Sequence, residues 1–109
     1  MASHQRVLTS ATTEQVLRAL ADPLRSQIVE LLAGEQLCTC HLVEELGATQ
    51  TNVSNHLRVL REAGIVEAEP AGRYTFYRLR PDALAAFSEH YAELASRARL
   101  AVQVKRPCA

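Results

Sequence analysis

The chain has 109 residues, with twelve basic and twelve acidic side chains and a formal net charge of zero. This length is typical of one domain, and 48% hydrophobic residues are enough for a core, which excludes a disordered chain. No apolar stretch is long enough to span a membrane, and the N-terminus lacks the apolar region of a signal peptide. We therefore predict a single cytoplasmic domain over residues 1–109, with an N-terminal arm at 1–11 and a mobile tail at 103–109.

The charged residues are distributed unevenly. Five arginines lie between Arg58 and Arg80, against three glutamates in the same interval, whereas four glutamates lie upstream between residues 30 and 45. A modest basic patch on a neutral protein is typical of a DNA-binding protein whose affinity falls with salt. An ordinary solvated surface gives the same pattern, so charge alone does not decide between the two interpretations.

Four helices are predicted before the period of the sequence changes. The first spans residues 12–21 and opens with a Thr/Gln capping box. Asp22-Pro23 starts the second, because Asp is a good N-cap and Pro fits the first helical position. The third runs over residues 38–46 and the fourth over 49–64, with a glycine turn between them. The last two helices and their short turn predict a helix-turn-helix.

A hairpin and a long helix complete the chain. Residues 65–69 and 74–79 are short segments rich in β-branched or aromatic side chains, and residues 70–73 have the composition of a hairpin turn. The last helix opens at a proline and spans residues 81–102. The order helix, helix, helix-turn-helix, hairpin, long helix predicts a mainly α winged helix-turn-helix with a small β-hairpin.

The last helix carries apolar residues at alternating spacings of three and four, as in a heptad repeat. This stripe packs either within its own chain or against a second copy. A domain of this size buries little surface alone, so we predict a homodimer formed through the first and last helices. The candidate interface residues are Val16, Leu17, Leu20, Leu84, Phe87, Tyr91, Leu94 and Ala98.

The fourth helix has the composition of a DNA-recognition helix. Short polar side chains in its first turns can reach base edges in the major groove, and Gln and Asn can pair with adenine through two hydrogen bonds. The arginines Arg58 and Arg61 are better suited to phosphates, and Arg73 at the hairpin tip to the backbone or the minor groove. The candidate contacts to double-stranded DNA are Gln50, Thr51, Asn52, Ser54, Asn55, His56, Arg58, Arg61 and Arg73.

Two thiols, Cys38 and Cys40, lie one residue apart at the predicted start of the third helix. Thiolates prefer soft ions, and the free N–H groups and dipole of a helix N-terminus favour the thiolate. Residues two apart on a regular helix point to nearly opposite sides, so we expect ion binding to unwind the first turn of this helix. Alternatively, one or both cysteines are small buried hydrophobic residues.

The sequence resembles the ArsR/SmtB family of metal-responsive repressors over roughly residues 12–100. The resemblance lies in LADPLR at residues 20–25, LCTCHL at 37–42, TNVSNHLRVLREAG at 51–64, and Gly72-Arg73 of the hairpin. It implies a winged helix-turn-helix homodimer that is not an enzyme. It also implies binding to an inverted-repeat operator when metal-free and release when a metal binds the Cys-x-Cys pair.

The chain departs from the family's metal box in ways that bear on the ion. Gln36 replaces the usual Glu, His41 replaces the usual Asp, and Val43 occupies the position of a third Cys. Cys108 resembles the C-terminal Cys ligand of some relatives and is the candidate third ligand, from the same or the partner subunit. Water or a small thiol is the alternative, and His41 is a weaker candidate. The resemblance favours As(III) or Sb(III) as the inducer, with Cd(II) or Pb(II) as the alternative.

Other classes of function remain open or are excluded by the pattern. A thiol-redox switch using Cys38 and Cys40 is one alternative, and a repressor that does not respond to metal is another. The chain lacks the Cys-x-x-Cys and βαβ pattern of a thiol oxidoreductase, and it lacks catalytic Ser/His/Asp or phosphate-binding glycine patterns. We therefore predict that the protein is not an enzyme and has no organic cofactor.

Overall fold

The computed structural model describes residues 13–108 and confirms the predicted winged helix-turn-helix. A helical bundle carries a small antiparallel sheet, and a long helix follows it. The helices are α1 (residues 13–20), α2 (Pro23–Leu32), α3 (Thr39–Leu46), α4 (Gln50–Glu62) and α5 (Pro81–Leu100). The strands are β1 (Leu37–Cys38), β2 (Val66–Ala71) and β3 (Tyr74–Leu79). The predicted arm at 1–11 and the predicted helix start at Thr12 lie outside the described residues.

Two predicted helix starts are confirmed by side-chain caps. One carboxylate oxygen of Asp22 accepts hydrogen bonds from the backbone N–H groups of Leu24 at 2.8 Å and Arg25 at 3.2 Å. These bonds, that from Arg25 foremost, lower the pKa of the Asp22 carboxyl, because they favour its charged form. The Thr49 hydroxyl accepts from the Asn52 N–H at 3.1 Å. Each cap supplies a partner for backbone donors that the first turn of a helix leaves unpaired.

The sheet differs from the prediction at two points. Its strand order is β1-β3-β2, and β1 was not predicted because two residues are too few to show an alternating pattern. The predicted turn at 70–73 is wrong in length, since β2 continues to Ala71 and the turn consists of Gly72 and Arg73. Gly72 has a φ of +67°, which favours glycine. Pro70 is tolerated inside β2 because β2 is an edge strand of the sheet.

The core forms where α1, α2, α3, α4 and the start of β2 meet. Its largest fully buried side chains are Val16, Ile28, Leu42, Val53, Leu57, Leu60 and Ile65. Val16 was predicted to lie in a dimer interface, but it is buried within its own chain. It is therefore unavailable to a partner and does not belong to the candidate interface. Leu20 is partly buried and packs against the same core.

Helix α5 is loosely attached to this core. Leu84 and Phe87 near its start pack against the core, but none of its 20 residues is buried. Tyr91 and Leu94 retain 40% and 39% of their surface, and Ala98 is exposed. The helix ends at Leu100, two residues before the predicted end, and is neither long nor apolar enough to cross a membrane, like every other helix in the described part. The chain thus presents an elongated helix with an uncovered apolar face.

Candidate functional site

The helix-turn-helix is formed by α3 and α4. Gly47 ends α3 in the left-handed region, with φ +63°, and lets the chain reverse direction before α4 begins. On α4, Val53, Leu57 and Leu60 are buried in the core. Because these residues hold one side of α4 against the domain, its opposite side is left at the surface.

The exposed side of α4 carries most of the predicted DNA contacts. These residues are all exposed: Gln50, Thr51, Asn52, Ser54, Asn55, Arg58 and Arg61. Amide and hydroxyl groups on the exposed face of a helix can reach base edges in a major groove. The structure agrees with the prediction about which face of α4 is available. Contact with DNA itself remains a prediction.

His56 does not share this exposure. It is half-buried, and its Nδ1 lies 3.1 Å from Nη1 of Arg25 on α2. Sequence reasoning grouped His56 with its polar neighbours because a single helix gives no sign of which residues meet another helix. The structure instead gives this side chain a protein partner.

The basic patch is smaller than the sequence suggests. Arg78 is bonded to Glu67 at 2.6 Å, opposite it in the hairpin, and Arg80 lies 3.3 Å from the same carboxylate. Arg58 makes a loose contact of 4.0 Å with Glu62. Arg61 and Arg73 make no ion pair within residues 13–108, so they are the arginines of the patch most available to a phosphate backbone.

The thiol site lies where β1 passes into α3. Cys38 ends β1 and is the N-cap of α3, and Cys40 lies in the first helical turn. The sulfur atoms of the two residues are in direct contact and form a disulfide in the structure, with Cα atoms 5.4 Å apart. Cys38 is buried whereas Cys40 is exposed. The pair therefore has one buried cysteine and one that is accessible from solvent.

The expected unwinding of α3 is not required by this geometry. We predicted that α3 begins at Cys38, but Cys38 has extended backbone angles, φ −89° and ψ 170°, and the helix begins at Thr39. The rule that residues two apart on a helix diverge therefore does not apply to the pair. The two sulfurs are already adjacent while every turn of α3 is intact.

His41 joins the two cysteines. Donor atoms of Cys38, Cys40 and His41 all lie within 4.8 Å of one another, the spacing of a group that could hold a metal ion. His41 Nδ1 also accepts a hydrogen bond from the Cys38 N–H at 3.1 Å. Sequence reasoning ranked His41 below Cys108 as a ligand. Cys108 is exposed in the chain after α5 and is not part of this group.

The thiol site is connected to the hairpin as well as to α3. Strand β1 pairs with β3 so that Cys38 lies opposite Phe76 and Leu37 opposite Tyr77. The His41 ring also packs beside that of Phe76, with centroids 6.0 Å apart. A change at the cysteines can therefore act on the hairpin directly, and on α4 through α3.

Comparison with known proteins agrees with this arrangement. Residues 22–68 match the model of the arsR family of bacterial regulatory proteins. The regulator CmtR of Mycobacterium bovis is 38% identical over 91 residues, which cover 84% of this chain and 74% of CmtR. The chain belongs to the ArsR family. This ArsR-family chain is also similar to the arsenic resistance transcriptional regulator ArsR1 of Pseudomonas putida, 41% identical over 68 residues.

The extent of the matches differs among relatives. The match to ArsR1 covers 62% of this ArsR-family chain and 53% of ArsR1, and the chain spans about half the length of several curated relatives. A homodimeric winged helix-turn-helix DNA-binding domain of a possible ArsR-family regulator of Mycobacterium bovis has the same fold. Its TM-score is 0.69 at 24% identity, and the match covers 94% of each chain. CmtR and ArsR1 are transcriptional regulators by name, in agreement with the prediction of a regulatory protein.

Proposed function

We propose that this protein is a transcriptional repressor that binds an operator when metal-free and is released when As(III) or Sb(III) binds Cys38 and Cys40. The observation that carries the proposal is the contact between the two sulfurs at the junction of β1 and α3. Once this disulfide is reduced, the same backbone holds two thiolates side by side, which suits a thiophilic ion. Its position next to the helix-turn-helix and the hairpin supports coupling to DNA binding.

The coupling requires that the ion bind the DNA-free conformation better than the DNA-bound one. An ion held by Cys38 and Cys40 would shift the end of β1 and the start of α3, where the Cys38 N–H donates to His41 Nδ1. A shift there would act on α4 through α3 and on the hairpin through β3, both of which carry predicted DNA contacts. An ion of the alternative class that also used His41 Nδ1 would in addition remove this hydrogen bond.

We also propose that the repressor is a homodimer. The exposed apolar residues Leu17, Tyr91, Leu94 and Ala98 lie on α1 and α5, outside the chain's own core. A second copy is the occupant that such a stripe on a long helix favours, because its heptad spacing matches that of a partner helix. Two copies related by a twofold axis would present two α4 helices to an inverted repeat.

The type and number of the available ligand atoms favour one class of ion over another. As(III) and Sb(III) form three bonds, so two thiolates need one further donor, which is Cys108, a small thiol or water. Cd(II) or Pb(II) is the alternative inducer, and the imidazole of His41 supports it as a third protein ligand. The chain's own cysteines and His41 therefore distinguish the two possibilities by mutation.

Operator release tests the proposal and its choice of ion. A labelled operator is selected from random-sequence DNA with the metal-free protein, and its anisotropy is followed under reducing conditions while each ion is titrated. We expect arsenite and antimonite to release the operator from wild type and from His41→Ala. The titration of Cys108→Ser shows whether the tail supplies a ligand. Release by Cd(II) or Pb(II) alone, lost in His41→Ala, would assign the alternative ion class. Retention of DNA with all four ions would contradict a metal-responsive repressor.

A thiol-redox switch is the second candidate, and the disulfide between Cys38 and Cys40 is the observation that favours it. Two thiols would lose two electrons and two protons to a peroxide, which is reduced to water, while the sulfur–sulfur bond forms. Operator release by peroxide without any metal, reversed by dithiothreitol, would support this function. Release that needs a metal under reducing conditions would exclude it as the primary signal.

Replacing Arg73 by alanine should weaken operator binding and flatten its dependence on salt. Arg73 lies in the turn of the hairpin and has no ion pair in the described part of the chain, so a phosphate would be its main partner. Loss of one phosphate contact lowers the slope of log affinity against log salt by about 1. Arg106→Ala removes the same charge from the tail and should leave the slope unchanged. An unchanged slope in Arg73→Ala would exclude a phosphate contact.

A further inference from the structure

Arg25, in the first turn of α2, makes contact with two other helices. Its Nε donates a hydrogen bond to the carbonyl oxygen of Ala19 at 2.8 Å, and its Nη2 donates to that of Arg18 at 3.5 Å. Its third nitrogen, Nη1, lies 3.1 Å from Nδ1 of His56 on α4. One guanidinium therefore connects the end of α1 to the middle of the proposed recognition helix.

The contacts to α1 suit the chemistry of a helix end. The last carbonyl groups of a helix have no partner within it, and their partial negative charge favours a cation. Arg25 supplies both a donor and a positive charge at the end of α1. Its own backbone is held in turn by the Asp22 carboxylate that caps α2. The backbone and the guanidinium of Arg25 are thus both hydrogen-bonded in addition to the contact with His56.

The contact with His56 has only one chemically consistent form. Arginine has five donors, no acceptor and a permanent charge, so Nη1 must donate and His56 Nδ1 must accept. In this arrangement the Nδ1 atom of His56 is engaged by Arg25 and is not offered to DNA.

This hydrogen bond adds a directional restraint to the packing of α4. Val53, Leu57 and Leu60 hold one face of the helix against the domain through apolar contacts, which are non-directional. A hydrogen bond between fixed groups is directional. Asn55, which lies on the exposed face of α4, directly precedes His56 in the sequence. A rotation of α4 that stretches the contact between His56 and Arg25 therefore also moves the predicted base-reading side chains.

We infer that His56 is a positioning residue, and that its hydrogen bond with Arg25 sets the rotation of α4 relative to α1. This rests on the proposed function, since α1 belongs to the proposed dimer interface and α4 to the proposed DNA-reading surface. In the dimer, the Arg25 contact would fix the orientation of each recognition helix relative to the dimer interface. His56 thereby moves from the predicted DNA contacts to the residues that align them.

A double-mutant cycle on the metal-free protein tests this role. Operator affinity is measured for wild type, Arg25→Ala, His56→Ala, the double variant and His56→Gln, whose amide oxygen can accept from Arg25. We expect each alanine variant to lose roughly tenfold in affinity, the scale of a hydrogen bond to a charged group. The double variant should lose no more than either single one, and His56→Gln should recover part of the loss. The salt slope should match that of wild type, because no phosphate contact is removed.

Other results would overturn the inference. Losses that add in the double variant, or a salt slope reduced by about 1 in His56→Ala, would show that His56 contacts DNA on its own. No loss in either single variant would show that the contact does not align α4. Affinity for unrelated DNA at low salt distinguishes two causes of a loss. A variant with a misaligned α4 should keep this affinity, whereas an unfolded variant should lose it. Because no inducer is present, a failure of metal sensing leaves this test intact, whereas failure of wild type to select any operator would contradict the DNA binding on which the proposed function depends.

Discussion

Cys38→Ser and Cys40→Ser are each expected to bind the operator as a metal-free protein and to remain bound when arsenite is added. A serine hydroxyl is a hard, weakly acidic donor and does not replace a thiolate on a soft ion. After reduction of the disulfide the site offers two adjacent thiolates, so loss of either one removes a ligand that the ion needs. Allosteric coupling typically changes affinity by about 5- to 150-fold, so arsenite should cause a loss of this size in wild type and none in the variants.

Cys108→Ser is the matched control for this experiment, because it removes a thiol of the same chain that lies outside the Cys38, Cys40 and His41 group. Arsenite should still release the operator from Cys108→Ser. The concentration needed should be higher than for wild type if the tail supplies a ligand, and unchanged if it does not. Circular dichroism of all three variants reports whether the fold is retained. Normal arsenite release in Cys38→Ser and Cys40→Ser would exclude the Cys-x-Cys pair as the sensor.

Leu94→Glu is expected to convert the dimer to a monomer and to lower operator affinity by at least about 100-fold. Leu94 lies on the apolar stripe of α5 and is not buried in its own chain, so the change should leave the monomer fold intact. In a dimer it would place two carboxylates in an apolar interface, where unpaired charge is strongly unfavourable. Binding through two linked half-sites typically exceeds binding through one by about 10²–10⁴-fold, which sets the scale of the loss.

Leu100→Glu is the control for the dimer prediction. It introduces the same charge from the same residue type at the last residue of the same helix, where the side chain is 86% exposed and outside the heptad stripe. Sedimentation analysis should find a dimer for wild type and Leu100→Glu and a monomer for Leu94→Glu. A Leu94→Glu protein that remains dimeric and binds the operator normally would place the interface elsewhere.

Local sequence signals predicted much of the fold because they act over a few residues. Asp22 and Thr49 cap their helices by accepting hydrogen bonds from backbone N–H groups two or three positions away. A cap over so short a distance can be predicted from the local sequence. The apolar spacing of Val53, Leu57 and Leu60 likewise identified the buried face of α4. The order of elements and their turn residues were then enough for the winged helix-turn-helix.

The features that sequence reasoning missed depend on distant parts of the chain. Cys38 is extended rather than helical because β1 pairs with β3, almost 40 residues later, and two residues alone cannot indicate this pairing. His56 meets Arg25 from 31 positions away, so its role was hidden by the polar composition of α4. The burial of Val16 also depends on distant residues. The packing of the helices against one another decides which apolar residues are buried in the core and which are left for a partner.

Binding of an ion by Cys38 and Cys40 and release of DNA should be one event. An arsenite titration under reducing conditions, with thiolate-to-arsenic absorbance and operator anisotropy recorded on one sample, measures both at once. We expect the two curves to superimpose in wild type and both signals to be absent in the Cys38→Ser, Cys40→Ser double variant. Saturation of the absorbance while the operator stays bound, or release of the operator before any thiolate–arsenic signal develops, would contradict it.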